Sequence, residues 1–283
     1  AAMGVCIDGA GLSIPDVVAV ARGGASVSLD LDARRRIDRA SAYVDTLLRR
    51  ERPVYGVTTG FGRFADVVIS PDDSATLQRN LLLSHASGVG ELLPNEVVRA
   101  ILLLRANALA CGYSGARAEV VDTLIAMLNQ GVHPQVPSQG SVGSSGDLAP
   151  LAHMSLPLLG VGQVKMDGQT LDAGEALQKA GLEPIKLAAK EGLALTNGTT
   201  MMTAIAALLV HSAETLVESA NCAGALTLEA QNGTLRAFMP QIHAARPQKF
   251  QADIAKRIRT LVEGSQLTRP DNSSNVQDAY TLR

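Results

Sequence analysis

Tryptophan is absent from the 283 residues, and aromatic residues make up only 3% of them. A core without large rings must be built from Leu, Val, Ile and Ala, the composition of packed helices. Three cysteines, Cys6, Cys111 and Cys222, are too few and too scattered for a disulfide framework or a CxxC metal pair. A reducing, cytoplasmic setting is therefore expected. Charge of neither sign dominates: Lys+Arg 25 against Asp+Glu 27 leaves a net charge of -2, and a dedicated nucleic-acid binder usually carries a basic excess. The longest apolar run, near Met201–Val210, reads as too short to span a bilayer. No basic stretch leads into an apolar segment at the N-terminus, so no signal peptide is expected.

Several chemical signatures are also missing. Gly88-Val89-Gly90 and Gly160-Val161-Gly162 lack the third glycine of a GxGxxG turn, and neither GxxxxGKS/T nor HExxH occurs. No nucleotide is expected on that ground. The five histidines, His85, His133, His153, His211 and His243, show no ligand spacing, so no metal is expected either. Gly140–Gly146 is rich in serine but contains no GxSxG nucleophile elbow.

What is present is helical periodicity. Ser13 ahead of Ile14, Pro15 and Asp16 predicts a capped helix start. Asp32 is the expected cap of a second helix, in which Ile37, Ala40, Tyr43, Val44, Leu47 and Leu48 recur every three or four residues up to Pro53. Further helices are predicted over 73–87, 94–111, 116–130, from about Leu148, over Thr199–Gln231 and over 247–264. A small β-hairpin is predicted at Val161–Thr170, turning on Asp167-Gly168. The fold class is mainly α: an N-terminal mixed helical domain, residues 1–110, leads into a long-helix bundle domain, residues 111–283, incomplete at its C-terminal side.

Two loops interrupt this pattern. Tyr55-Gly56-Val57-Thr58-Thr59-Gly60-Phe61-Gly62 is glycine-punctuated within an otherwise helical region. Gln139-Gly140-Ser141-Val142-Gly143-Ser144-Ser145-Gly146-Asp147-Leu148-Ala149-Pro150 has apolar flanks, which predicts a loop inside the bundle rather than over its surface. Asp147 and the first N–H groups of the following helix put Ser145-Gly146 at a helix N-terminus, where the dipole presents positive potential.

The second loop resembles the signature of the aromatic amino acid ammonia-lyases, and the whole chain resembles the N-terminal part of their histidine-specific branch. In that family an Ala-Ser-Gly tripeptide cyclises and dehydrates to methylidene-imidazolone (MIO), a backbone-derived electrophile. The matching tripeptide is Ser144-Ser145-Gly146, with serine in place of the usual first alanine. Ring closure asks the Gly146 nitrogen to attack the Ser144 carbonyl, which requires a tight bend without a Cβ in the way. Ser145 must then lose its hydroxyl.

The resemblance implies further roles. Tyr55 becomes the base for the substrate β-proton, although a phenol ordinarily titrates near ~10. His85, in Leu83-Ser84-His85-Ala86-Ser87-Gly88, points to histidine as substrate. Asn197, in Leu195-Thr196-Asn197-Gly198-Thr199, is expected near the ring and the substrate amine, with a helix N-cap as the plainer alternative. Gln277 and Tyr280 match a polar segment near the ring, and Arg283 the two-donor clamp for the substrate carboxylate. The family's chains are about twice this length and form homotetramers, so a complementary C-terminal fragment is an implied partner. The expected activity is elimination of ammonia from L-histidine to give urocanate. The alternatives are a catalytically incomplete assembly fragment and a phenylalanine or tyrosine ammonia-lyase.

Overall fold

The computed structural model describes residues 4–49, 53–54, 56–59, 71–269 and 276–282, the side chains of 71–73 excepted. The chain is mainly α, and it divides into two compact units, Ala1–Leu209 and Val210–Arg283.

The first unit opens with strand β1 (Val5–Ile7), helix α1 (Ile14–Ala21) and strand β2 (Val27–Leu29), the two strands pairing in parallel. Ser13 starts α1 as expected, through a reciprocal capping box with Asp16. Helix α2 (Leu31–Leu48) corrects the expected cap: Asp30, not Asp32, precedes the helix, and its carboxylate accepts the N–H groups of Asp32 and Ala33, each at 2.9 Å. A cap has to sit on extended backbone outside the helix, and Asp32 already lies in the first turn, where it pairs with Arg35.

Helix α3 (Pro71–His85), strand β3 (Val89–Leu92), helices α4 (Asn95–Ala110) and α5 (Ala118–Asn129), and strands β4 (His133–Pro134) and β5 (Pro137–Gln139) follow. The boundary expected at residue 110 falls at the last residue of α4, and α4 and α5 pack on each other within this unit. Their apolar faces make the core: Leu102 and Leu103 of α4 meet the same buried cluster as Leu124, Met127 and Leu128 of α5.

Helix α6 (Leu148–Ser155) leads to strands β6 (Gln163–Met166) and β7 (Gln169–Asp172), the predicted hairpin. Its turn residues Asp167 (φ +49°) and Gly168 (φ +80°) are both left-handed, as a two-residue hairpin turn requires. Strand β4 pairs with β6 and extends the hairpin to three strands. Helix α7 (Ala173–Lys179) and the short α8 (Glu191–Thr196) come next. Helices α3, α6 and α8 pack on one another and carry the segments described below.

Helix α9 (Thr200–Ala230) spans 31 residues, about 47 Å at 1.5 Å per residue. It corrects the reading of the apolar run. Met201–Val210 alone is short, but the pattern continues through Leu216, Val217 and Leu226, and an 18-residue window of the helix reaches a mean hydropathy of 1.4. By length and composition it could cross a membrane; a bundle core helix has the same character. In the second unit, α9 residues Ala225 and Leu228 bury against Ile258 and Val262, at the end of helix α11 (Lys249–Leu261). Helix α10 (Pro240–Ala245) packs on α11.

Candidate active site

Strand β5 delivers the chain to Gly140, whose α-carbon lies so near Gly88 that a Cβ would stand 3.0 Å from the Gly88 α-carbon. From there the Ser/Gly loop runs to the start of α6. Val142, Gly143, Ser144 and Ser145 are exposed, whereas Gly146 and Asp147 are buried. The expectation of a loop wholly inside the bundle is corrected accordingly. The apolar flanks Val136, Ala149 and Leu151 do bury and pull the loop's end inward, but the tip offers only Val142 as an apolar side chain, and that is 86% exposed.

The tripeptide itself is bent. Ser145 has φ +62° and Gly146 φ +99°, two successive residues in backbone territory that costs a side-chain-bearing residue strain. Only glycine fits at 146, because a Cβ there would lie 2.1 Å from the Gly198 carbonyl oxygen. Gly146 and Gly198 form a parallel bridge, and the Asp147 N–H donates to the Gly198 carbonyl at 2.7 Å. One residue earlier, the Asn197 side-chain N–H donates to the Ser145 Oγ at 2.8 Å. Asn197 closes α8 as its C-cap and keeps its amide for the serine. The 197–198 turn thus grips the tripeptide twice.

Two residues behind this turn make contacts that the sequence does not advertise. Asp147 heads α6, yet its side chain makes no capping bond to its own helix. Its carboxylate instead accepts from the Ser141 Oγ at 2.9 Å and from the Met202 N–H at 2.9 Å. Met202 is the third residue of α9, so Asp147 caps α9 from across the fold and places a negative charge at its positive end. Arg105, on α4, donates to the carbonyls of Ala194 (3.1 Å) and Asn197 (3.3 Å) and to the Thr200 Oγ1 (2.6 Å). Burial pushes its pKa down to about 10, against the opposing pull of Asp147. No sequence spacing advertises either contact, since both join elements distant along the chain.

His85 ends α3, half-buried. Its Nδ1 lies 2.8 Å from the Leu81 carbonyl, which can only accept, so Nδ1 carries a proton and Nε2 is the ring's outward-acting nitrogen. Three residues on, the Gly88 N–H donates to His153 Nε2 at 3.0 Å, and burial lowers the His153 pKa, in the direction that favours the neutral ring this bond uses. His153 therefore ties the His85 segment to α6. In the second unit, Gln277 is exposed, and Tyr280, 84% exposed, opens a short 3-10 turn, Tyr280–Leu282. Tyr55 and Arg283 lie outside the described residues. Ser145, Gly146 and Asn197 are thus in direct contact.

The Ser144-Ser145-Gly146 and Asn197-Gly198 segments, singled out in the sequence by their resemblance to the aromatic amino acid ammonia-lyases, thus lie against each other. The family model of aromatic amino acid lyases matches residues 12–283, and the chain belongs to that family. It is 54% identical over 275 residues to a histidine ammonia-lyase of Symbiobacterium thermophilum, covering 97% of this chain and 54% of that protein. Among solved structures, a histidine ammonia-lyase from Trypanosoma cruzi superposes with a TM-score of 0.88 at 38% identity, over 99% of this chain and 52% of the other. The ergothioneine-degrading ergothionase of Treponema denticola gives 0.89 at 34% identity, over 99% and 56%. The chain spans about half the length of the curated relatives it matches.

Proposed function

We propose that the protein is an ammonia-lyase that converts L-histidine to urocanate and ammonia, with MIO formed from Ser144-Ser145-Gly146. The observation that carries this reading is the clamped tripeptide: left-handed Ser145 and Gly146, no room for a Cβ at 146, and the Asn197 amide on the Ser145 hydroxyl. The backbone fits the ring. Closure joins the Gly146 nitrogen to the Ser144 carbonyl carbon, and Ser144 contributes only that carbon, so serine serves there as alanine would. Once formed, the ring supplies an electrophile that turns the substrate amine into a better leaving group.

This chain's own groups do the rest. Donation from Asn197 to the Ser145 Oγ favours departure of that hydroxyl, and the α6 N-terminus beside it presents positive potential. Tyr55 takes the substrate β-proton, and His85 meets the substrate imidazole. The family resemblance further assigns Gln277 and Tyr280 to a polar segment near the ring, with Tyr280 assisting its positioning, and Arg283 to the substrate carboxylate. The whole protein is a cytoplasmic homotetramer in which further helices cover α9 residues such as Leu209, Leu216 and Leu226, which are 64%, 70% and 67% exposed here.

The test is the mass of the peptide containing Ser144–Gly146, with urocanate absorbance on adding L-histidine. Two missing waters and urocanate formation are expected, and both are lost in Ser145→Ala. Turnover of L-phenylalanine or L-tyrosine in place of L-histidine transfers the reading to those substrates and overturns the role of His85. A loop at full mass leaves a non-catalytic assembly module.

A further inference from the structure

Arg105 occupies a costly position. It sits on α4 between Leu102, Leu103 and Ala106, and is 4% exposed. A guanidinium this deep loses most of its hydration, and a well-packed apolar side chain would often serve stability as well or better. Among the described residues it is in no ion pair, and its Nε has no hydrogen-bond partner. The charge it feels is that of Asp147. Its three hydrogen bonds go to one place, the junction between the end of α8 and the start of α9: the carbonyls of Ala194 and Asn197 and the Thr200 hydroxyl.

That junction is the 197–198 turn. Gly198 is pressed between the guanidinium and the tripeptide: a Cβ on it would lie 2.7 Å from Arg105 Nη2, while its carbonyl accepts the Asp147 N–H and stands where a Cβ on Gly146 would have to go. Asn197 is held by its carbonyl on Arg105 and reaches Ser145 with its amide. Moving the guanidinium would therefore move both grips on the tripeptide together.

We propose that Arg105 is a positioning residue for closure of the Ser144–Gly146 ring, acting through the Asn197-Gly198 turn; this rests on the ring-forming reading above. The reaction it serves is balanced without an oxidant. The Gly146 N–C bond to the Ser144 carbonyl carbon forms, and that carbonyl oxygen leaves as water with the amide protons of Gly146 and Ser145, creating a C=N bond. The Ser145 hydroxyl then leaves as a second water with the Ser145 α-proton, creating the methylidene. Arg105 touches none of these atoms. It fixes the turn that bends Gly146 and delivers the Asn197 donor to the departing hydroxyl.

The experiment uses the intact protein, synthesised cell-free, with the mass of the loop peptide followed over time beside circular dichroism and thermal melting. Arg105→Met removes the donors and Arg105→Lys keeps a charge without the fork. In folded Arg105→Met the dehydrated share at early times is expected to fall roughly tenfold or more, because ring closure depends steeply on the approach of the two atoms. Arg105→Lys is expected to be intermediate. Arg34→Ala, which breaks the Arg34–Asp122 pair between α2 and α5, lowers the melting temperature and leaves dehydration unchanged. Wild-type dehydration kinetics in folded Arg105→Met overturn the proposal, as does an equal loss in Arg34→Ala. If Arg105→Met does not fold, wild-type kinetics in Arg105→Lys overturn it, and slowed kinetics support it. A wild-type loop that never loses water overturns the ring-forming reading itself.

Discussion

Replacing Gly146 by alanine tests the bend directly. The new carbon would sit 2.1 Å from the Gly198 oxygen and 2.4 Å from its carbonyl carbon, where unstrained contacts lie at about 3.5 Å. Both obstacles are backbone, so the 197–198 turn must retreat by about 1 Å, a shift that core packing resists. In the uncyclised chain that retreat breaks the Asp147–Gly198 bond at 2.7 Å and the Asn197–Ser145 bond at 2.8 Å, each worth about 1 kcal/mol. Alanine at φ +99° adds roughly 1–2 kcal/mol of backbone strain. A destabilisation of about 3–4 kcal/mol is expected, against a typical total of roughly 5–15 kcal/mol. Urea unfolding followed by circular dichroism gives the stability, and peptide mass gives the ring. A Gly146→Ala protein as stable as wild type, or one whose loop still loses two waters, refutes the account of the clamp.

Two further predictions concern the scaffold. The His133 pKa is pushed from 6.5 down to about 4, by burial first and then by Arg99 and Lys165, with Arg99 donating to its Nε2 at 3.0 Å. Between those values the unfolded chain holds the extra proton, so this contribution is complete above about pH 6.5 and is lost as pH falls toward 4. The full shift would correspond to about 3 kcal/mol, and solvent screening of this half-buried ring brings the loss below that; unfolding of wild type and His133→Asn at both pH values should show the smaller drop in the variant, and equal drops would dismiss the assignment. Glu191 is fully buried and accepts from the Arg117 backbone, Nε and Nη2 and from the Ala188 N–H. Glu191→Ala is expected to cost about 3 kcal/mol, read as a shift in urea midpoint; a change below about 0.5 kcal/mol would sink that estimate.

The division between what the sequence disclosed and what it withheld follows contact range. Ser13 with Asp16, the Asp167-Gly168 turn and the periodicity of α4, α5, α9 and α11 are local, and each was legible because the residues that decide it lie within a turn or two of one another. The cap of α2 was misplaced by two positions because Asp30 and Asp32 are chemically equal and only the backbone conformation separates them. The loop tip was placed inside because its flanks are apolar, and flanks report where a loop is anchored, not where its tip points. Ser144-Ser145-Gly146 could be named from the sequence through the family's pattern, but the reason it bends could not. That reason is Gly198, 52 residues beyond Gly146, with Arg105 behind it on a helix 93 residues before it. Neither residue belongs to a recognisable spacing. Glycine here is read most surely by what stands where its Cβ would be, and that neighbour is supplied by the fold. The chemistry of the loop is thus written in three adjacent residues, while the geometry that would allow it is distributed over α4, α6, α8 and α9.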